Sequence, residues 1–307
     1  MSSSRARVVM IAGLVALAVA PLVIDDYAAT ILARVLVFAL FAASLDLLVG
    51  ITGLPSLGHG AYFGAGAYAA GWVAIHVTTS APATLLAAAA VSALVALVAG
   101  SVAVRARGVF FLMLTLALGE IAEQLAQSWH SVTGGSDGLY GIPASRVLGV
   151  ALTEVRWFTW YVLAVFIAGM AIIRTIVASP LGATLRGIRD NEPRMRALGY
   201  RTYHYKLAVF VIAGAIAGVA GALLAAQQRV VTPADLGFAG SVPVLVAVIV
   251  GGEATSWGPC VGAAIVVVVR DVLGPSLGGH SSLVLGSVFV AVVFLLPGGL
   301  ARRRGSR

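Results

Sequence analysis

The sequence predicts an all-α fold, a polytopic membrane helix bundle of about ten segments, two of them short or broken. Three observations predict it. Of 307 residues, 60% are hydrophobic and 10% charged, against about 25% charged in soluble domains, and mean hydropathy is +1.01. Apolar runs of about 20 residues, the length that crosses a bilayer core of about 30 Å, recur along the whole chain. The basic residues cluster between alternate runs. So few charges cannot cover a water-soluble fold of this size, and lipid is the expected solvent. Residues 1–307 are accordingly read as a single transmembrane domain.

The first run, Val8–Ile24, follows Arg5 and Arg7. It is short for a span and long for a cleaved signal. Asp25-Asp26-Tyr27 follows it rather than a small-x-small cleavage site, so a retained first helix is expected. Further runs are Ala28–Val49, Gly58–Val77, Thr84–Val104, Val109–Trp129, Trp157–Val177, Leu207–Gln227 and Ser282–Leu296. Two shorter ones, Val242–Gly251 and Pro259–Val272, flank the glycine-rich Gly251–Gly258. Two connections are long: an external one at 130–156, rich in Gly, Ser and Thr, and a cytoplasmic one at 178–206.

Those sides follow from charge. With the N-terminus inside and each run crossing once, Arg5, Arg7, Arg105, Arg107, Arg174 and the arginines from Arg186 to Arg201 fall inside, with Lys206, Arg302, Arg303, Arg304 and Arg307. Asp25, Asp26, Asp137, Glu154 and Asp235 fall outside. This N-in, C-in arrangement satisfies the positive-inside rule. It also absorbs the net charge of +8 without nucleic acid as a partner. Cys260 is the one cysteine, which excludes an internal disulfide, and its apolar setting suits a small packing residue.

The cytoplasmic connection carries most information. Ser179-Pro180 supplies an N-cap and a proline for the first helical position. A short helix is expected to Asn191, a second turn or two from Pro193, and a stop at Gly199. Leu185, Ile188, Met195 and Leu198 are apolar, yet sit among five arginines outside the membrane. One reading is a surface helix on anionic headgroups, which explains the arginines but not Asp190-Asn191-Glu192. The other is a coupling helix docked into a cytoplasmic motor subunit.

At these residues the sequence resembles a family. LRGIRDNEPRMRALGYRTYHYKLAVFVIAGAIAGVAGALLA (Leu185 to Ala225) resembles the coupling loop and following helix of M-type permease subunits of branched-chain amino acid ABC importers. SLGHGAYFGAGAY (Ser56 to Tyr68), RGVFFLMLTLALGEI (Arg107 to Ile121), TGGSDGLYGIP (Thr133 to Pro143), WGPCVGA (Trp257 to Ala263) and FLLPGGL (Phe294 to Leu300) follow in the family's order. The resemblance implies an ATP-driven importer of branched-chain or other apolar amino acids, working by alternating access in the bacterial plasma (inner) membrane. It implies a second permease chain (a heterodimer), two cytoplasmic ATPase subunits and an external substrate-binding protein. ATP and Mg would sit on the partners, with no cofactor on this chain. Leu185, Ile188, Met195 and Leu198 are then expected to pack in the ATPase groove. Arg189, Asp190, Asn191 and Glu192 would fix the loop's fold and its ionic contacts, and Gly199 would end it. Urea or short amides, carried by related permeases, are the alternative cargo. The chain departs from the family at Asp46, where Asn is usual, at Ala254, where Gly is usual, and at Glu253, where an apolar residue is usual.

Several residues in the spans are candidates for a translocation path. Glu120, Glu123, Gln124 and Gln127 form one stripe on a helix. An acid at the membrane centre costs roughly 2.5–3.5 kcal/mol on insertion scales, so the stripe should face protein or water. It is either the wall of an outer aqueous path or a set of partners for Arg34 and Arg270. Gly58, Gly60, Gly64, Gly66 and Gly71 follow a break at Gly53–Pro55, and Gly251, Gly252 and Gly258 form a similar break later. Such paired breaks point to a binding region, while close helix packing is the plainer role. His59 either meets substrate or donates to a backbone carbonyl at the break. Asp46 is expected to pair with a helix N-terminus at Gly53–Ser56 or to carry protons, the second option leaving a proton-coupled secondary carrier open.

Enzymatic classes fare worse. There is no phosphate-binding Gly-x-x-x-x-Gly-Lys-Ser/Thr, and Lys206 is the only lysine, so nucleotide hydrolysis is not expected on this chain. Histidines 59, 76, 130, 204 and 280 lack metal-ligand spacing, and no metal is expected.

Overall fold

The computed structural model describes residues 17–147, 149–255 and 257–274, together with 13, 283, 284, 286, 287, 290, 291, 294, 299 and 300. Most of the expected last span, Ser282–Leu296, most of the Phe294–Leu300 motif and the start of the first run lie outside these residues, as do Arg5, Arg7 and the arginines from 302 onward; residues 17–23 are helical.

The central helix, α1 (Asp26–Asp46), opens on Asp25, whose carboxylate accepts the Ala28 N–H at 3.4 Å. It runs on into a π-helical turn, Leu47–Thr52, and is buried along nearly its whole length. Gly53, in the left-handed region at φ 72°, then reverses the chain at the expected break. Then come α2 (His59–His76), α3 (Ala81–Ala103), α4 (Val109–Ser128) and the one-turn α5 (His130–Thr133). The second half holds α6 (Val155–Ala178), α7 (Pro180–Ala197), α8 (Thr202–Gln228), α9 (Phe238–Gly251) and α10 (Gly258–Val267), the last continuing into a π-helical turn, Val268–Leu273. Among the described residues, six helices are long and apolar enough to cross a membrane. One of the six, Pro233–Gly251, is made of a 3-10 turn and the 14-residue α9; α9 and the 10-residue α10 are the short segments of the expected pattern.

Small residues decide how the bundle closes. Lipid tails are as apolar as leucine, so helices associate through close packing rather than through the hydrophobic effect. The buried residues of α3 are Ala81, Thr84, Ala88, Ser92, Ala96, Gly100 and Ala103, one stripe at helical spacing. That stripe meets α8, where a side chain at Gly218 would collide with Ser92 and with the Ala88 carbonyl. Ser92 itself donates to the Tyr62 carbonyl at 2.7 Å, tying α3 to α2. The outer faces of α3, α4 and α6 are exposed and apolar, as lipid-facing surfaces should be.

Helix α8 begins five residues before the apolar run that predicted it. Hydropathy stops at Lys206, but the residue is 3% exposed and its ammonium is paired, so the helix continues through it. The connection at 130–156 is partly ordered by short strands. Here β1 (Leu139–Tyr140) pairs antiparallel with β4 (Val230–Val231), and β2 (Arg146–Val147) with β3 (Val150–Ala151).

Candidate functional site

The basic helix α7 is built as its sequence specifies. Ser179 Oγ accepts the Gly182 N–H at 3.5 Å, and Pro180 takes the first position. The helix breaks at Asn191 (φ −159°, ψ 89°), whose side-chain oxygen accepts the Arg194 N–H at 2.9 Å and so caps the second half. Gly199, at φ 88°, ends it, with its N–H on the Arg196 carbonyl. Leu185 and Ile188, however, are buried inside this chain and part of its own core or packing. They are closed to a partner, contrary to expectation, because α7 folds back on the bundle. The apolar surface α7 offers is its far end: Leu198 is 67% exposed, Tyr200 lies beside it, and Met195 is half-buried against Gly187.

Glu192 is the hub of that end. It lies 3.2 Å from Lys206 Nζ, 2.7 Å from Arg196 Nη2 and 3.4 Å from Arg107 Nε, and accepts the Thr202 hydroxyl at 3.0 Å. Burial raises its pKa, but the adjacent ammonium and these donors outweigh burial and hold the carboxyl below its usual value. Glu192 therefore organises the loop from within, whereas Asp190 faces solvent.

Arg189 reaches inward. Its guanidinium donates to the Gly50 carbonyl in the π-helical turn and lies 3.6 Å from Glu253 in the turn between α9 and α10. In the same turn the Ala254 N–H donates to Asp46 Oδ1 at 2.9 Å. Asp46 was expected to bind at the Gly53–Ser56 break; its partner is the other break instead. Ala254 holds φ 58°, a conformation that costs a residue with Cβ roughly 1–2 kcal/mol. The three departures from the family pattern, at 46, 253 and 254, thus converge on one spot.

Beside it lies a cavity of 320 Å³, which we call the inner cavity, lined by Asp46, Ile51, Met170, Arg174, Thr255 and Pro259 among others. The Arg174 guanidinium stacks 4.8 Å from the Trp257 ring centre. A second cavity of 220 Å³, the outer cavity, sits toward the opposite end of α1. Its charged groups are Arg34, Asp235, Arg270 and Asp271, and its apolar wall includes Phe38, Phe41, Phe63 and Leu224. Arg34 Nη1 is 3.0 Å from Asp271 Oδ2, and Arg270 Nε is 3.7 Å from Asp271 Oδ1. Helices α1 and α10 contribute to both cavities: Phe41 and Val266 to the outer one, Ala43 and Pro259 to the inner.

The remaining path candidates make contacts within this chain. Arg34 and Arg270 pair with Asp271, so they do not pair with the Glu120 stripe. Glu120 instead accepts the N–H of Phe238, the first residue of α9, at 3.1 Å, where a carboxylate also meets the positive end of the helix dipole. Glu123 accepts from Gln127 at 3.2 Å, and Gln124 is exposed. Gly58 packs on the Thr115 carbonyl, Gly60 on Ser241, and Gly251 on Gly258; Gly252 is buried in the turn at φ 103°. His59 is fully buried, with Nε2 2.9 Å from Ser44 Oγ rather than on a backbone carbonyl. Since Ser44 donates its hydroxyl to Phe41, the His59 proton belongs on Nε2. Among the described residues no group of His, Cys, Asp and Glu is arranged to hold a metal.

Sequence reasoning missed the outer cavity. Its signal was the adjacent pair Arg270-Asp271 closing an apolar run, with Arg34 inside another.

The chain is similar to known transport permeases. A family model described as branched-chain amino acid transport system / permease component matches residues 27–296. The high-affinity branched-chain amino acid transport system permease protein LivM of Salmonella typhimurium (strain LT2) is 27% identical over 322 residues, covering 97% of this chain and 76% of the relative. LivM of Escherichia coli (strain K12) is 28% identical over 326 residues, with the same coverage. The LivH permease protein of the Salmonella system is 25% identical over 187 residues, covering 58% of this chain and 60% of the relative. No solved structure matches the chain.

Proposed function

We propose, from the premise that this chain belongs to the permease-component family of branched-chain amino acid transport systems, that it forms one membrane half of an ATP-driven importer of branched-chain or similarly apolar amino acids. The chain is a multi-pass inner-membrane transport subunit and not an enzyme. In this reading a related permease chain completes the pore, two cytoplasmic subunits bind ATP and Mg, and an external protein delivers the cargo. The N- and C-termini and connection 178–206 are cytoplasmic, and connection 130–156 is external.

One observation carries the mechanism: Arg189 joins the basic helix to the wall of the inner cavity. Its guanidinium holds Gly50 and Glu253, and the segments bearing them are latched by the Asp46–Ala254 hydrogen bond. A push on the exposed end of α7 is therefore passed to the turn that borders the inner cavity. Because α1 and α10 wall both cavities, opening one while closing the other is a single rearrangement of shared helices.

The test is co-purification of the detergent-solubilised chain. The expected result is recovery of an ATPase and a second permease, both functional in uptake, with loss of the ATPase in Leu198→Asp. Retention of ATPase and uptake in that variant would show that the coupling contact lies elsewhere. A second reading, the proton-coupled carrier, is favoured by Asp46 on the inner cavity. Uptake that survives without ATP and collapses with a protonophore would select it. The aromatic wall of the outer cavity favours an apolar side chain over urea, and competition with urea against leucine separates those cargoes.

A further inference from the structure

We propose that the outer cavity is a binding subsite for a free α-amino acid in its zwitterionic form, with separate places for carboxylate, ammonium and side chain. This deepens the importer reading and rests on it.

The charges come in a particular arrangement. Asp271 is shared between two guanidiniums, Arg34 through one oxygen and Arg270 through the other. One carboxylate facing two cations leaves an excess of one positive charge there. Arg34 Nε is also buried without a hydrogen-bond partner. A ligand carboxylate supplies both the missing charge and acceptors, and guanidinium geometry suits it. Asp235, on the same cavity, uses Oδ2 for the Thr232 N–H and hydroxyl, at 2.9 and 3.0 Å. Among the described residues its Oδ1 is left for a cation. Two fixed cations and two fixed anions make the cavity neutral as a whole. A zwitterion therefore enters without leaving uncompensated charge near the membrane, which a lone amine or a lone acid does not.

The rest of the wall selects the side chain. Phe41 and Phe63 stack at 4.3 Å and Phe38 meets Phe41 edge-on, giving an apolar aromatic surface opposite the charged rim. At 220 Å³ the space falls below the roughly 300–1,000 Å³ of sites for drug-sized ligands, in keeping with a single amino acid. The subsite lies near the end of α8, across the bundle from the basic helix where α8 begins. It is therefore placed to receive cargo before the inner cavity does.

The experiment uses the assembled transporter. Gln228→Cys, on the cavity wall, is placed in a Cys260→Ser background and reacted with a small water-soluble thiol reagent without ATP. Leucine, 3-methylbutylamine (no carboxylate) and 4-methylpentanoate (no ammonium) are compared at equal millimolar concentration. Leucine is expected to slow labelling about tenfold more than either fragment, since each fragment leaves one desolvated charge unanswered. Equal protection by all three, or none by leucine, overturns the subsite. In parallel, Arg270→Gln and Asp235→Asn are each expected to slow ATP-driven leucine uptake about tenfold, with Arg270→Lys retaining most of it. Uptake like that of the unaltered chain in both neutral variants also overturns it. An unaltered complex that moves no amino acid with ATP refutes the importer reading instead, and the labelling arm, run without ATP, keeps the two failures apart.

Discussion

Asp46 accepts a single main-chain hydrogen bond, and that bond closes a gap of 208 residues. The group needed there is an acceptor rather than a charge, so Asp46→Asn is expected to keep the latch. Asp46→Leu removes the acceptor and leaves the Ala254 N–H without it, a loss of about 1–3 kcal/mol. Thermal unfolding of the two variants in detergent checks this ordering. Glu192 behaves differently because its charge is used. Its folded pKa lies below the unfolded value of about 4.3. The stabilisation is thus fully present above that value and is lost as pH falls through the folded pKa. Docking of α7 on the start of α8 should accordingly loosen in acid, read as protease cleavage after Arg194 and Arg196. Glu192→Gln should abolish that pH dependence and expose Lys206 to the cost of a buried unpaired charge, roughly 3–5 kcal/mol at neutral pH.

Among the elements, the seam between α3 and α8 shows why composition alone underdetermines a membrane fold. Both helices are apolar all round, so hydropathy finds them and says nothing about which face packs inward. The small residues at four-residue spacing on α3 do carry that information. Gly218→Leu is expected to drive a side chain into Ser92 and the Ala88 carbonyl and destabilise the bundle by 1–3 kcal/mol or more. Ser92→Ala should cost only about 0.6 kcal/mol, the usual worth of an interhelical hydrogen bond in lipid. Melting temperatures of the purified variants separate the two. The break in α7 was likewise legible, from Ser179, Pro180, Asn191 and Gly199, because caps are local chemistry. Burial of Leu185 and Ile188 was not, because an amphipathic helix reads the same whether its apolar face meets its own bundle or another protein.

For the whole molecule, the sequence revealed the helices of the described residues and their interruptions and left the long-range pairs hidden. The Arg34–Asp271 contact joins residues 237 apart, and nothing local to either marks the other as partner. The outer cavity stayed hidden for the same reason: the glycines and Glu120 that the sequence singles out make packing and capping contacts, while charges near the ends of apolar runs line the outer cavity. The inside-positive arrangement has its own test. In a Cys260→Ser background, Leu198→Cys should react with impermeant thiol reagents only from the cytoplasmic side, and Val150→Cys only from outside. Both positions are well exposed, so labelling reports sidedness rather than burial.

Lys206, sealed beneath Glu192, is the only side-chain amine in 307 residues. Amine-directed cross-linkers and fluorophores therefore find no accessible lysine on this subunit. A lysine-directed survey of any complex that contains this chain would register no lysine contact from it, whatever its neighbours. Carboxylate- or arginine-directed reagents, or cysteines introduced at Leu198, are the chemistry to which it is visible.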